Sequence, residues 1–560
     1  MSRNIGRSAE LSAARLDAAP DRLDAPTRIL ALAAALVCAW LYLGRLDRLL
    51  LQRGNEAMYA TPSIHMLSSG DYLMPRWQNQ DFLDKPPLTF WIVAASYRLF
   101  GIDLFAENLP AALAGLATAA ILGYWVYRRS GVRAGLLAGL ILSLFPLFLT
   151  VSLTFAADAF LTLALVIATF ALDGAARRRD GTDLRWGVLC GAALAFSFYC
   201  KGLIGVVLPG AAVAAGLALD RTWPVHPVRR AVWGLAVLGV LIAPWHWVMA
   251  QRLGSEFWRL FYWENQFLRG STRIFMAPSR GALYYVGILA WGAFPWSLHL
   301  PGTLLRRRPS SVFLGWFAFG LVFWSLLVMK REVYLVTVLP AAAALVAEAL
   351  AGTPPRSTLW RRVPWILGAA GAGAVLMVLV RVFPRLVEVS GSSSATAFLG
   401  AALAILTAAL VGAVIAPGNS RAPFGVALAC GVFLLSLQAF EGRLDRFDPL
   451  PEWGERVRRE CAEGCDGFLV GNNYNSIDFY SRYDWLPVPE GLSGVPGRLR
   501  HSRGFVLMWT ADEPDLAKLP LKAEVLDRRP VIRRRIVETL LGRGEGGIES
   551  LSLVRVERER

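Results

Sequence analysis

Apolar runs about 20 residues long recur through the first 440 positions, the length a helix needs to cross roughly 30 Å of hydrocarbon. Lipid offers no partner for an open strand edge, so the spanning part cannot be a sheet. Thirteen segments qualify: 28–47, 108–127, 133–151, 154–176, 186–199, 202–219, 230–248, 281–300, 312–328, 334–352, 363–383, 397–416 and 423–440. Only Lys201 and its neighbours divide 186–199 from 202–219. The charged fraction of 18% lies below the roughly 25% of a soluble chain, and the mean hydropathy is +0.44. The pattern is that of a polytopic α-helical membrane protein.

The net charge of +16 raises the question of a nucleic-acid partner. Most of the arginine answers it by lying in short loops between apolar runs: Arg128, Arg129 and Arg133; Arg177, Arg178, Arg179 and Arg185; Arg221, Arg229 and Arg230; Arg306, Arg307 and Arg308; Arg356, Arg361 and Arg362. These loops share one side if the N-terminus lies there too, and topology signals and anionic headgroups account for them. No nucleic acid is expected. That side is expected to be cytoplasmic, with residues 1–27 as a polar tail lacking the apolar core of a cleavable signal peptide. The membrane domain is then 28–440, with outer loops 48–107 and 249–280. Residues 441–560 would be a small soluble α/β domain on the extracytoplasmic side. GFLVGNN, GFVLMWT and SLVRVER read as its strands and SIDFYSRY as a helix.

Cys38, Cys190, Cys200 and Cys430 lie in or beside apolar runs and read as packing residues. Cys461 and Cys465 fall on the oxidising side, where a local disulfide can form; zinc would need two further ligands, which the spacing does not supply. Trp40, Trp91, Trp186, Trp245 and Trp296 read as anchors at headgroup level.

The polar groups gather on the outer face. Loop 48–107 opens with RGNEAMYA and holds Asn55, Glu56, Tyr59, His65, Asp71, Asp81, Asp84 and Lys85. Asp158 stands early in its run, Lys201 at the outer junction, Glu264 and Arg269 in FYWENQFLRG, and Lys330, Arg331, Glu332 and Tyr334 in VMKREVYLVTVLP. An ionisable group at membrane depth costs at least ~2.5–3.5 kcal/mol, so it persists when paired or functional. One such group alone reads as a snorkelling or salt-bridged residue. Lys85, Lys201, Lys330 and Arg331 together suit one phosphate at the membrane surface, with Asp84, Asp158 and Glu56 as acid–base or orienting groups. The physical reading is an extracytoplasmic enzyme acting on a lipid phosphate, the lipid tail lying among the helices. His65 reads as structural.

The order GNEAMYA, MLSSGDYLMPRWQNQDFLDKPPLTFW, FAADAFLTLAL, YCKGLIGVVLP, FYWENQFLR and KREVYLVTVLP resembles the GT-C glycosyltransferases of the aminoarabinose transferase and protein O-mannosyltransferase superfamily. The likeness runs over about 28–352, and DKPPL is its most specific part. The layout of thirteen helices and an outer domain is closer to the aminoarabinose branch. The resemblance implies a bacterial inner-membrane enzyme, acting on the periplasmic side as a monomer. It would move a sugar from undecaprenyl phosphate, or a related polyprenyl phosphate, to lipid A or another glycolipid. Transfer to protein hydroxyls is the second implied activity. It makes Lys85 a ligand of the carrier phosphate, matches Glu56 and Asp158 to acids of the family, and puts Asn55 where the family has its catalytic Asp.

An amide cannot take a proton, which leaves several accounts open. Glu56 could act as base. Asp158 could, with Asn55 and Glu56 orienting. No strong base is needed if the acceptor is a phosphate, already anionic above its second pKa of about 6. An inactive relative is the fourth. Cations near the departing phosphate would stabilise its developing charge; a divalent metal could do so too, and metal dependence stays open. A lipid-linked sugar transporter is the competing class. It would show polar residues in mid-helix near the bilayer centre, whereas here the charges collect at the outer edge.

Overall fold

The computed structural model describes residues 23–48, 57–78, 80–154, 157–177, 183–222, 227–268, 280–305, 309–352, 358–461, 464–472, 474–532 and 548–558. The chain is a helical bundle followed by a sheet domain. Its helices are α1 (Ala25–Leu43), α2 (Ala57–Ser69), α3 (Leu88–Phe100), α4 (Leu104–Ser130), α5 (Val132–Ser143), α6 (Pro146–Leu153), α7 (Ala157–Arg177), α8 (Asp183–Lys201), α9 (Ile204–Asp220), α10 (Pro227–Leu253), α11 (Tyr284–Gly292), α12 (Ser311–Leu326), α13 (Leu339–Ala351), α14 (Thr358–Ser390), α15 (Ser393–Ile415) and α16 (Ala422–Glu441).

Among the described residues eight helices are long and apolar enough to cross a membrane, or nine with the bent α5–α6 pair counted as one span. The expected thirteen uninterrupted spans are therefore not all present as such. Pro146 opens a new helix and bends the 133–151 run by 64°. The 281–300 run breaks after Gly292, with Pro295 and Pro301 inside the irregular stretch before residue 305. Runs 202–219 and 312–328 form the shorter helices α9 and α12. The expected outer loop 48–107 is itself folded, with α2, a two-residue hairpin of β1 (Arg76–Trp77) and β2 (Gln80–Asp81), and the apolar helix α3.

Local chemistry starts and joins these helices. Asp24 and Asp103 accept the Thr27 and Ala106 N–H groups at 3.2 and 2.7 Å, capping α1 and α4. The α4–α5 crossing is tight because small residues meet there: a Cβ on Gly135 would lie 2.7 Å from the Gly123 carbonyl oxygen. Trp245 and Trp296, expected as interfacial anchors, are buried in the packing, whereas Trp40 is exposed as expected.

At one end of the bundle polar groups tie helix ends together. Asp173 of α7 accepts from Arg129 at 2.8 Å and from Arg177 at 2.6 Å, and Arg177 also reaches Asp220 at 2.7 Å. Glu348 accepts the Ser130 and Ser310 hydroxyls, each at 2.7 Å. This is the end to which the arginine-rich loops were assigned.

The sheet domain begins with α17 (Leu450–Glu460). Its strands β3 (Asp466–Val470), β4 (Trp485–Val488), β5 (Arg503–Trp509), β6 (Leu521–Ile532) and β7 (Ile548–Arg558) lie in the order β4-β3-β5-β7-β6. β3 pairs in parallel with β4 and β5, and β7 pairs antiparallel with β5 and β6. Both faces of β5 are covered: Phe505 and Leu507 pack with Trp453 and Ile477, Val506 and Met508 with Val488 and Val495. That is why GFVLMW reads as an unbroken apolar run. Cys461 and Cys465 form a disulfide. The domain sits on the segment from α2 to the start of α4, where Arg482 donates to the Ile102 carbonyl at 2.6 Å, Gln78 to the Trp485 carbonyl at 3.3 Å, and His65 lies 3.4 Å from Asp484.

Candidate functional site

Helix α7 starts at Ala157, α8 ends at Lys201, and the DKPP turn precedes α3; all three arrive at the end of the bundle opposite the Asp173 cluster. They enclose a cavity of about 170 Å³. Its polar lining is Tyr59, Asp84, Lys85, Asp158, Lys201, Asn265, Gln266, Arg331 and Tyr334, and its apolar lining is Met58, Ile204, Phe323, Trp324, Leu327, Met329 and Val333.

The acids and bases are paired. Lys85 donates to the Asp84 carboxylate at 2.5 Å, and each side chain is little exposed. Pro86 and Pro87, both buried, follow at once and fix the backbone that carries this pair. Lys201 donates to Asp158, both buried. The Lys201 ammonium also lies 4.8 Å from the Tyr334 ring centroid, a cation–π contact. Tyr334 is stacked on Trp324 at 4.7 Å, and the Trp324 indole donates to Thr337 at 2.9 Å. The ring under the ammonium is therefore held from behind. With Arg331 the described lining residues include three cations and two carboxylates.

The apolar lining continues to the bundle surface. Phe323 and Leu327 line the cavity at the end of α12, and their neighbours Val322 and Leu326 are exposed. The cavity thus joins cations to an apolar wall near the bundle surface, which suits an anionic head on an apolar tail.

The structure brings seven expected residues onto this lining: Tyr59, Asp84, Lys85, Asp158, Lys201, Arg331 and Tyr334. Asn55, Glu56 and Arg269 lie outside the described residues; in sequence the first two immediately precede Ala57, the first residue of α2. Lys330 is buried beside the site and donates to the Leu327 carbonyl at 2.6 Å, off the lining. Glu264 also stands off the lining and pairs with Arg259 at 2.5 Å on an exposed surface. Asn265 and Gln266 were not singled out from the sequence, although two amides directly after Glu264 in an aromatic stretch were the available signal. Trp324 offered none, being one aromatic in an apolar run. Among the described residues no three His, Cys, Asp or Glu side chains group as a metal site would.

Residues 84–247 match the family model described as dolichyl-phosphate-mannose-protein mannosyltransferase. A relative from Pseudomonas paraeruginosa, named undecaprenyl phosphate-alpha-4-amino-4-deoxy-L-arabinose arabinosyl transferase, is 29% identical over 53% of this chain. This chain spans 55% of that relative's length, about half. A relative of the same name from an Enterobacter species is 26% identical, covering 70% of this chain and 74% of its own. The crystal structure of ArnT from Cupriavidus metallidurans bound to undecaprenyl phosphate superposes with a TM-score of 0.74 at 21% identity, covering 93% of this chain and 97% of that one. The likeness to that structure is one of fold, and it includes the sheet domain.

Proposed function

Because the chain is a member of the GT-C superfamily of aminoarabinose transferases and protein O-mannosyltransferases, we propose that it transfers a sugar from a polyprenyl phosphate carrier to an acceptor at the outer face of the bacterial inner membrane. Undecaprenyl phosphate is the carrier of this reading, and lipid A or a related glycolipid the acceptor. The observation that carries it is the cavity that joins Lys85, Lys201 and Arg331 to an apolar wall at the bundle surface.

In this reading the acceptor oxygen attacks the sugar C1, the bond from C1 to the phosphate oxygen breaks, and the polyprenyl phosphate departs with the electron pair. Lys85, Lys201 and Arg331 stabilise the charge that develops on the departing phosphate. Asp84 and Asp158 are each occupied by a lysine, so their role is to aim cations, and Asp158 is the weaker candidate for the base. Glu56 is then the carboxylate left for proton removal, with Asn55 as an orienting amide. A phosphate acceptor arrives ionised and needs no base. Tyr59 and Tyr334 shape the donor side of the cavity. Glu264 and Lys330 stay at its margin, Lys330 setting the backbone next to Arg331. In this reading the arginine-rich loops lie on the cytoplasmic side, as the positive-inside rule favours, and the cavity end faces the periplasm.

Mass spectrometry of lipid A tests this in a Gram-negative host that makes the carrier-linked sugar. The arms are host alone, host with this protein and host with the Glu56→Gln variant. A sugar mass added by the unaltered protein and absent from the host alone is the expected result; its loss in Glu56→Gln supports proton removal by Glu56, and its retention supports an acceptor phosphate that needs no base. An unchanged lipid A together with newly glycosylated envelope proteins would move the acceptor to protein hydroxyls, the reading favoured by the mannosyltransferase family match.

A further inference from the structure

The backbone turns sharply behind Lys201. Helix α8 ends on Lys201, Gly202 has a φ of +72°, and α9 starts at Ile204. Glycine is the residue that adopts this left-handed conformation without strain. The turn leaves the Leu203 N–H at the start of α9, where the leucine side chain supplies no cap. That N–H donates to the Gln266 side-chain oxygen at 3.2 Å.

Gln266 comes from a distant part of the chain, the π-helix Trp258–Leu268 that follows α10. Its amide lies flat over Gly202: a Cβ built there would stand 2.7 Å from both the amide nitrogen and the oxygen. The same side chain lines the cavity. One amide therefore closes the turn that aims Lys201, and it does so from 63 residues further along the chain.

We propose that Gln266 is a positioning residue, which holds the Lys201–Gly202–Leu203 turn so that the Lys201 ammonium stays over Tyr334 and against Asp158 in the cavity. This rests on the reading that the cavity takes a polyprenyl phosphate. It adds a residue whose effect passes through Lys201, and it makes the absent side chain of Gly202 part of the same device.

The test is binding of undecaprenyl phosphate to the full chain in nanodiscs, compared for the unaltered protein, Gln266→Met, Lys201→Met and the double variant. Methionine keeps the volume and removes the acceptor. Loss of one hydrogen bond of this kind is expected to raise Kd about fivefold in the unaltered background. In the Lys201→Met background the same change is expected to raise Kd less than twofold, because the group it positions is gone. Equal effects in both backgrounds, or none in either, would overturn the proposal. Failure of the unaltered protein to bind undecaprenyl phosphate would instead overturn the cavity reading, and this proposal with it. Gly202→Ala is the second variant should Gln266→Met not fold; it is expected to weaken binding at least as much, and unchanged binding there would count against the device.

Discussion

Helix α7 carries a buried carboxylate near each end, Asp158 and Asp173, both under a tenth exposed. Fifteen residues of helix put them about 22 Å apart. Asp173 is held by two arginines, one of which is passed on to Asp220. Asp158 is held by one lysine, beside a cavity that also contains a second lysine and an arginine. Composition is alike at the two ends, and the difference lies in what the cations still have to do. At Asp173 the arginine forks are spent on carboxylates, and the cluster staples helix ends. At Asp158 the cation faces open volume and an aromatic ring, so it can meet an anion.

That contrast breaks most readily at Lys201. Lys201→Met is expected to lower sugar transfer roughly a hundredfold or more per folded molecule, the scale for losing one positioned stabiliser of a developing anion, whereas Arg129→Met leaves it within twofold. Steady-state rates on purified protein compare the two.

Asp173→Asn attacks the other end. It is expected to destabilise the bundle by about 3 kcal/mol, the low end for one partner of a buried pair, because Arg129 and Arg177 keep 26% and 30% exposure and can be rehydrated. A thermal melt in detergent reads this, and the rate per folded molecule should be unchanged.

A third buried carboxylate sharpens the comparison. Asp478 in the sheet domain accepts the Trp485 N–H at 3.1 Å. Burial, with the Asp484 carboxylate nearby, pushes it well above its ordinary value of 3.8. The folded state therefore retains a proton that the unfolded state releases, and stability falls as pH rises from that ordinary value towards the folded one. Each unit of displacement is worth about 1.4 kcal/mol. Asp478→Asn is expected to raise the melting temperature of the domain at pH 8 and to change little near pH 4, read by tryptophan fluorescence.

The smallest effect is expected at Glu264. Its pair with Arg259 is exposed, and such pairs contribute little because water screens them. Glu264→Gln should leave both the melting temperature and the transfer rate close to those of the unaltered protein.

Much of the cavity lining was legible because charge and tyrosine interrupt apolar runs. Asp158, Lys201 and Arg331 each stand at a run boundary, and the cost of an ion in hydrocarbon makes such positions conspicuous. The same logic drew in Glu264, since exposure on a surface segment leaves no mark in a string of letters. It passed over Gln266, whose uncharged amide carries no comparable penalty. Trp245 and Trp296 misled for a related reason: indole is amphipathic, and nothing local says whether the ring will sit at headgroup level or inside the bundle. GFVLMW was readable as a strand, but its place beside β3 and β7 was not.

The sequence alone determined that this chain crosses a membrane many times and that its ionisable groups lie at the ends of the crossings, because run length and desolvation act along the chain itself. Tertiary structure decided which of those ends meet. Lateral neighbours are chosen by close helix crossings such as Gly123 against Gly135, by the breaks at Pro146 and Gly202, and by one amide arriving from residue 266. Those are contacts between distant positions, and the depth of a residue in the bilayer does not contain them.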